Sequence, residues 1–162
     1  MTLAYSNGVA VFGSTDLDGL ASSSSLVAGW QSAVIVNSVD THGLSGRFKA
    51  NASTPTPGVL EVWAIPVWDI GGVATYPDTF GATSSARTVT YRNVLPNVGE
   101  LIAAFITDAT ANRVYEFSGV DIGALFDTML QRYIVFVTHN MVTALNASAN
   151  AGGQCWNQPI TF

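Results

Sequence analysis

Apolar and polar positions alternate along this chain in short runs, each closed by glycine, proline or asparagine. The clearest run is 132–139. Tyr133, Val135 and Val137 fall on one side and Ile134, Phe136 and Thr138 on the other, the pattern of a strand buried on both faces. Residues 44–50 alternate as a half-solvated strand, with Leu44, Gly46, Phe48 and Ala50 inward and Ser45, Arg47 and Lys49 outward. Residues 59–68 form the longest candidate. Val59, Glu61, Trp63, Ile65 and Val67 share one face; Leu60, Val62, Ala64, Pro66 and Trp68 share the other. Pro66 assigns that end to a sheet edge or a bulge, because it has no N–H for the ladder. Residues 30–39 read as one strand whose Ala33-Val34-Ile35-Val36 run is apolar on both faces, as in a sheet interior.

Weaker runs at 9–13, 87–94, 113–117, 142–145 and 156–161 bring the total to eight or nine strands. Between them, Ser22 to Ser25 is a weakly ordered serine tract and Asp40-Thr41-His42-Gly43 a turn. Thr54-Pro55-Thr56-Pro57-Gly58 is a stiff loop, and residues 70–85 are loop-like. Two segments stay ambiguous. Residues 98–108 fit a helical face through Leu101, Ile102 and Phe105, and a strand through Ile102, Ala104 and Ile106. Residues 120–130 fit a short helix or a strand entering a turn. Short strands at a spacing of ~8–12 residues predict an all-β fold: an antiparallel β-sandwich, specifically a jelly roll. It occupies residues 22–162 as a single domain, preceded by an N-terminal arm over residues 1–21.

Composition sharpens this picture. The 162 residues are 48% hydrophobic and only 10% charged, against about 25% charged in ordinary domains. Six Lys and Arg against eleven Asp and Glu give a net charge of −5, and no basic run is present to neutralise phosphates. Nucleic acid is therefore not an expected partner, and neither is an anionic bilayer. Mean hydropathy is +0.32, yet no apolar run approaches the ~18 residues that span a membrane. The N-terminus lacks the basic start and apolar core of a signal peptide, so none is expected. Cys155 is the single cysteine, which excludes an internal disulfide. So few charges leave a large neutral surface, which is either solvated by the abundant Ser, Thr, Asn and Gln or marks a permanent protein contact.

Candidate chemistry is sparse. His42 and His139 are the only possible bases for a hydrolytic triad. His139 closes a strand, where catalytic residues often stand, but a histidine there more often hydrogen-bonds a turn; His42 serves its own turn. No Gly-x-Ser-x-Gly elbow, phosphate loop or dinucleotide fingerprint occurs, so no enzyme activity and no cofactor are expected. Two histidines and one cysteine do not make a zinc centre. Asp16 and Asp18 could offer oxygens to calcium, but no glutamate follows at loop spacing and Asp beside Gly is common in turns. No metal is expected. Trp30, Trp63, Trp68 and Trp156, with Tyr76 and Tyr91, could serve as platforms for sugars, although strand aromatics are more often buried payload. Trp63 and Trp68 differ in parity, so an uninterrupted strand would point them to opposite faces and leave at least one in the core or an interface. Asn51-Ala52-Ser53 and Asn146-Ala147-Ser148 match the glycosylation pattern.

Three stretches carry a family resemblance: Ser24-Ser25-Leu26-Val27-Ala28-Gly29-Trp30-Gln31-Ser32, then Thr54-Pro55-Thr56-Pro57-Gly58 before Leu60-Glu61-Val62-Trp63, and the run 132–140 followed by Ala144-Leu145-Asn146. From about Ser22 to its end the chain resembles the decoration or cement proteins of tailed-bacteriophage capsids. Met129-Leu130-Gln131 departs from that pattern, which has a proline-containing turn there. The resemblance implies a virion structural protein on the capsid surface that stabilises the shell through protein–protein contacts. Its partner would be the major capsid protein of a phage head. A homo-oligomer is implied as well, a trimer by analogy with capsid three-fold sites. Trp30, Trp63, Trp68 and Arg132 are then the interface or core anchors. The arm would pair with its own sheet or add a strand to a neighbour's. The alternative function is a carbohydrate- or receptor-binding β module of a virion fibre or a secreted protein.

Overall fold

Strand follows strand through the computed structural model, which describes residues 4–5, 8–36, 42–126, 131–148 and 152–161. In chain order the strands begin with β1 (Ala4–Tyr5), β2 (Val9–Ala10), β3 (Ala28–Gln31), β4 (Ile35–Val36), β5 (His42–Lys49) and β6 (Gly58–Pro66). They continue with β7 (Trp68–Ile70), β8 (Val73–Thr75), β9 (Ser85–Thr88), β10 (Glu100–Thr107), β11 (Val114–Asp121), β12 (Arg132–His139) and β13 (Gly153–Thr161). Two single-turn helices, α1 (Leu95–Val98) and α2 (Ile122–Leu125), are the only α-helices among the described residues.

All pairings are antiparallel. The first sheet runs β1–β13–β5–β11, with β2 beside β1 on the same flank of β13. The second runs β10–β6–β12–β3–β9, with β4 continuing the track of β3 along β12. The fold is the antiparallel β-sandwich that the alternation predicts.

The core lies between the sheets. Leu44, Phe48 and Cys155 come from the first sheet, and Leu60, Val62, Ala64, Tyr133, Val135 and Val137 from the second. A second apolar layer covers the opposite face of the second sheet. There Trp63, Ile65, Val67, Ile134 and Phe136 pack under Phe80, Val89 and Leu95. Burial on both faces explains the doubly apolar run of β12, and the parities read for β6 and β12 are those observed. Gln31, fully buried, pins the covering segment. Its amide nitrogen donates to the carbonyls of Gly81 (2.6 Å) and Thr83 (2.7 Å), while its oxygen accepts from Gly81 N–H and Arg87 Nε.

Several expectations change. Residues 30–36 are not one continuous interior strand, and 37–39 lie outside the described residues. After Gln31 the Ser32 N–H donates to the Val135 carbonyl (2.8 Å), but the Ser32 hydroxyl, not a carbonyl, accepts the Val135 N–H (3.0 Å). That substitution breaks the ladder between β3 and β4, and Val36 is exposed. Of the expected turn over Asp40-Thr41-His42-Gly43, His42 and Gly43 instead begin β5, paired with β13, and Asp40 and Thr41 lie outside the described residues. Residues 70–85 are not all loop: Gly71 and Gly72, at φ +64° and +82°, close the β7–β8 hairpin. Residues 98–108 resolve as β10, with the register slipping between Leu101 and Ala103. The bulge interrupts the period of two, which is why the run also fitted a helical face. Residues 120–130 give the end of β11 and α2, capped by the Asp121 carboxylate on Ala124 N–H (3.2 Å), with 127–130 outside the described residues. Residues 142–145 form no strand, only a bridge from Leu145 to Ala50.

The serine tract is a fixed turn. Buried Ser23 donates its N–H to the His139 carbonyl (2.7 Å), and its hydroxyl accepts the N–H groups of Val27 and Ala28 (both 3.1 Å). Pro66 sits at the end of β6, where β10 has already stopped opposite Ala64, so its missing N–H breaks no ladder bond. The described part of the arm pairs with β13 of its own chain and places Phe12, Leu17 and Leu20 in the inter-sheet core. Packing therefore runs across the 21/22 boundary.

Candidate interaction surface

The four anchor residues separate into different roles. Trp63 is buried; its indole N–H donates to Glu61 Oε2 (2.9 Å), and the Arg92 guanidinium lies 5.4 Å from its ring centroid. Arg92 Nη2 also contacts both Glu61 oxygens, at 2.6 and 2.7 Å. Trp63 is thus a core residue whose polar edge is satisfied. Trp30 is half-buried against the inter-sheet core, its N–H donating to Ser84 Oγ (2.9 Å). Arg132 is half-buried at the start of β12, opposite Val36. Only Trp68 is presented to solvent, at 53% exposure.

Local sequence explains that presentation. Past Pro66 the chain leaves the sheet, and Gly71-Gly72 folds it back within three residues a side. Cross-strand register puts Trp68 opposite Thr75 and Ile70 opposite Val73, all on one face; Asp69 and Ala74 take the other. Ala74 packs on the outer apolar layer, so the hairpin is seated through that face. The Trp68 face looks outward, with Ile70 and Val73 each 66% exposed. A two-stranded hairpin is marginal alone, and this one turns its largest apolar groups away from its support.

A second exposed apolar row lies on β10. This strand pairs only with β6 among the described residues, so its far edge offers free backbone groups. Leu101, Ala104 and Ile106 sit opposite Trp63, Glu61 and Val59, on the side of the sheet that carries the outer layer. Ile106 is 91% exposed. Nothing in the β10 pattern set these residues apart from core ones, because the bulge at Ile102 exchanges the faces.

The chemical candidates take structural places. His139 is buried, with Nε2 2.8 Å from the Leu20 carbonyl and Nδ1 3.4 Å from the Met141 N–H. Burial holds its pKa below the ordinary value, and both ring nitrogens are engaged by backbone. Burial likewise raises the Cys155 thiol pKa far above its usual range. Asp16 Oδ2 accepts from Gly13 N–H (2.8 Å) and Ser84 Oγ (2.5 Å), and Asp18 Oδ1 accepts from Gly152 N–H (2.8 Å). Asn51 Oδ1 accepts the Ser53 N–H (2.9 Å), and Asn146 is buried with its Oδ1 on Ser148 N–H (2.9 Å). Among the described residues no three His, Cys, Asp or Glu side chains gather as a metal site, and no helix is long and apolar enough to cross a membrane.

Comparison with protein-family models, with curated proteins and with solved structures gives no match.

Proposed function

We propose that this chain is a structural protein of a tailed-phage virion, a jelly roll that decorates and stabilises the capsid surface through protein–protein contacts. The outward apolar face of the β7–β8 hairpin carries the reading: Trp68, Ile70 and Val73 stand together in solvent on an element with no cover among the described residues. Contiguous apolar surface of this kind is what a permanent interface covers. Strand order supports the jelly roll. Taking β1 with β2 and β3 with β4 as single tracks, eight tracks fall in chain order in sheets one, two, one, two, two, one, two and one. Eight strands divided this way make two interleaved Greek keys. The β7–β9 segment is an insertion between the fourth and fifth tracks. In this reading the protein is a homo-oligomer, a trimer on a local three-fold axis, and its partner is the major capsid protein.

The test is direct. The full chain is followed by sedimentation velocity over a concentration series, and gold-labelled protein is imaged on the heads of the phage that encodes it. Discrete oligomers and labelling at regular head positions are expected. A chain that stays monomeric at high concentration and leaves the heads bare defeats the proposal.

A further inference from the structure

The outer face of the first sheet carries a built groove that the assembly reading does not use. Gln154 on β13 clamps the backbone of Phe12: its Oε1 accepts the Phe12 N–H (3.0 Å) and its Nε2 donates to the Phe12 carbonyl (2.9 Å). The same Oε1 accepts the Cys155 N–H (2.9 Å), so both ends of the amide are engaged by backbone. This clamp holds the chain after β2 beside the sheet and walls a cavity of about 490 Å3, lined by Ala10, Phe12, Ser14, Arg47, Lys49 and Trp156 among others. A second cavity of about 360 Å3 shares Arg47 and Trp156 and adds Ser45, Glu116 and Ser118. Arg47 and Trp156 line both cavities, which adjoin there.

Register places the chemistry. Trp156 lies opposite Ser45 and Gln154 opposite Arg47, so Trp156 and Arg47 are diagonal neighbours on one face, their backbones about 7–8 Å apart. Two of the six cationic side chains of an acidic protein meet here. Arg47 approaches Glu116 only as a loose, exposed pair at 3.3 Å. The Lys49 ammonium makes no hydrogen bond or ion pair with any described residue. The groove therefore offers positive charge, an aromatic ring, and the hydroxyls of Ser14, Ser45 and Ser118.

We propose that this groove binds a carboxylated saccharide. Arg47 and Lys49 meet the carboxylate, Trp156 takes the C–H face of the ring, and the serines exchange hydrogen bonds with its hydroxyls. A guanidinium matches a carboxylate in two parallel hydrogen bonds, and an indole covers an apolar ring face. Inorganic phosphate has no apolar face for Trp156, and an aliphatic acid has no hydroxyls for the serines. The volume lies within the ~300–1,000 Å3 of small-ligand sites. The groove is on the opposite sheet from the hairpin, so failure of either proposal leaves the other standing.

Trigalacturonate, its neutral methyl ester and triglutamate are titrated into the full chain by calorimetry, with backbone amide NMR shifts read in parallel. Saturable trigalacturonate binding that moves amides of β5 and β13 is expected. The methyl ester and triglutamate should each bind at least about tenfold more weakly, a difference of ~1.4 kcal/mol. Arg47→Gln and Lys49→Gln, on the solvated side of β5, should each weaken binding about five- to tenfold while the melting temperature holds. No saturable binding of trigalacturonate, equal affinity for the ester or the peptide, or indifference to both substitutions overturns the proposal.

Discussion

Replacing Trp68 by serine separates an interface ring from a structural one. Trp68 is 53% exposed and belongs to neither apolar layer. A tryptophan presents ~150–250 Å2, so roughly 80–130 Å2 remains for a partner to cover. At ~25 cal/mol per Å2 that area is worth about 2–3 kcal/mol per contact, within the range of interface hot spots. With ~1.4 kcal/mol per decade, Trp68→Ser should raise the dissociation constant about 30- to 150-fold. Stability should move little, because exposed substitutions away from the core fall within about ±0.5 kcal/mol. Sedimentation velocity across a concentration series reads the first quantity, and a thermal melt at a concentration where both proteins are monomeric reads the second. If Trp68→Ser assembles at wild-type concentrations, the hairpin is not the contact. If its melting temperature collapses instead, the ring is a structural support and the reasoning from exposure fails.

Arg92→Ala leaves the Glu61 carboxylate nearly buried with only the Trp63 N–H on it, and should cost about 2–3 kcal/mol by urea unfolding. Adding Glu61→Gln should recover most of that loss, since no uncompensated charge remains; a double mutant as unstable as Arg92→Ala refutes the account. His139 gives a pH signature. Its folded pKa is depressed by burial, so the unfolded chain binds more protons as pH falls below about 6.5, and stability should decline there and level off once the folded group is also protonated. In His139→Gln that part of the slope should vanish from pH-dependent melts. Deleting residues 1–21 removes Phe12, Leu17 and Leu20 from the core, at ~2–5 kcal/mol for each large side chain, enough to exhaust the ~5–15 kcal/mol of a typical domain. The truncated chain should show no cooperative melt, and one that folds normally would show that the arm's partner is a neighbouring chain.

How much of this was readable depended on whether both faces of a strand are buried. On β12 and β6 every parity is reinforced by packing, since odd and even residues go to different apolar layers, and the alternation maps directly onto them. On β10 one bulge at Ile102 exchanges the faces midway, so no single period describes the run. The β7–β8 hairpin has three residues a side, too few for alternation to register, though Gly71-Gly72 was a usable turn signal. The serine tract departs from its composition for a related reason. Composition suggests disorder, whereas one buried hydroxyl taking two backbone N–H groups makes Ser23 a fixed corner.

The candidate surfaces were less readable because they depend on partners far along the chain. Trp63 and Trp68 stand five residues apart, and the break after Pro66 puts them in different elements, so the parity of one unbroken strand does not relate them. Parity does not say which face the chain will later cover. Phe80, Val89 and Leu95 return over the layer that holds Trp63, while no described segment returns over Trp68. The groove around Trp156 has the same origin. Arg47 and Lys49 read as the solvated side of a strand, and so they are, but a cavity exists there only because Gln154 captures Phe12 across 142 positions of sequence. Local pattern therefore specifies which way a side chain points, and long-range closure decides whether it meets core, groove or open surface. Mutating the closure rather than the pointing residue separates the two: Gln154→Ala should leave Arg47 and Trp156 on their strands while loosening the wall, so saccharide affinity falls although every proposed contact residue remains in place.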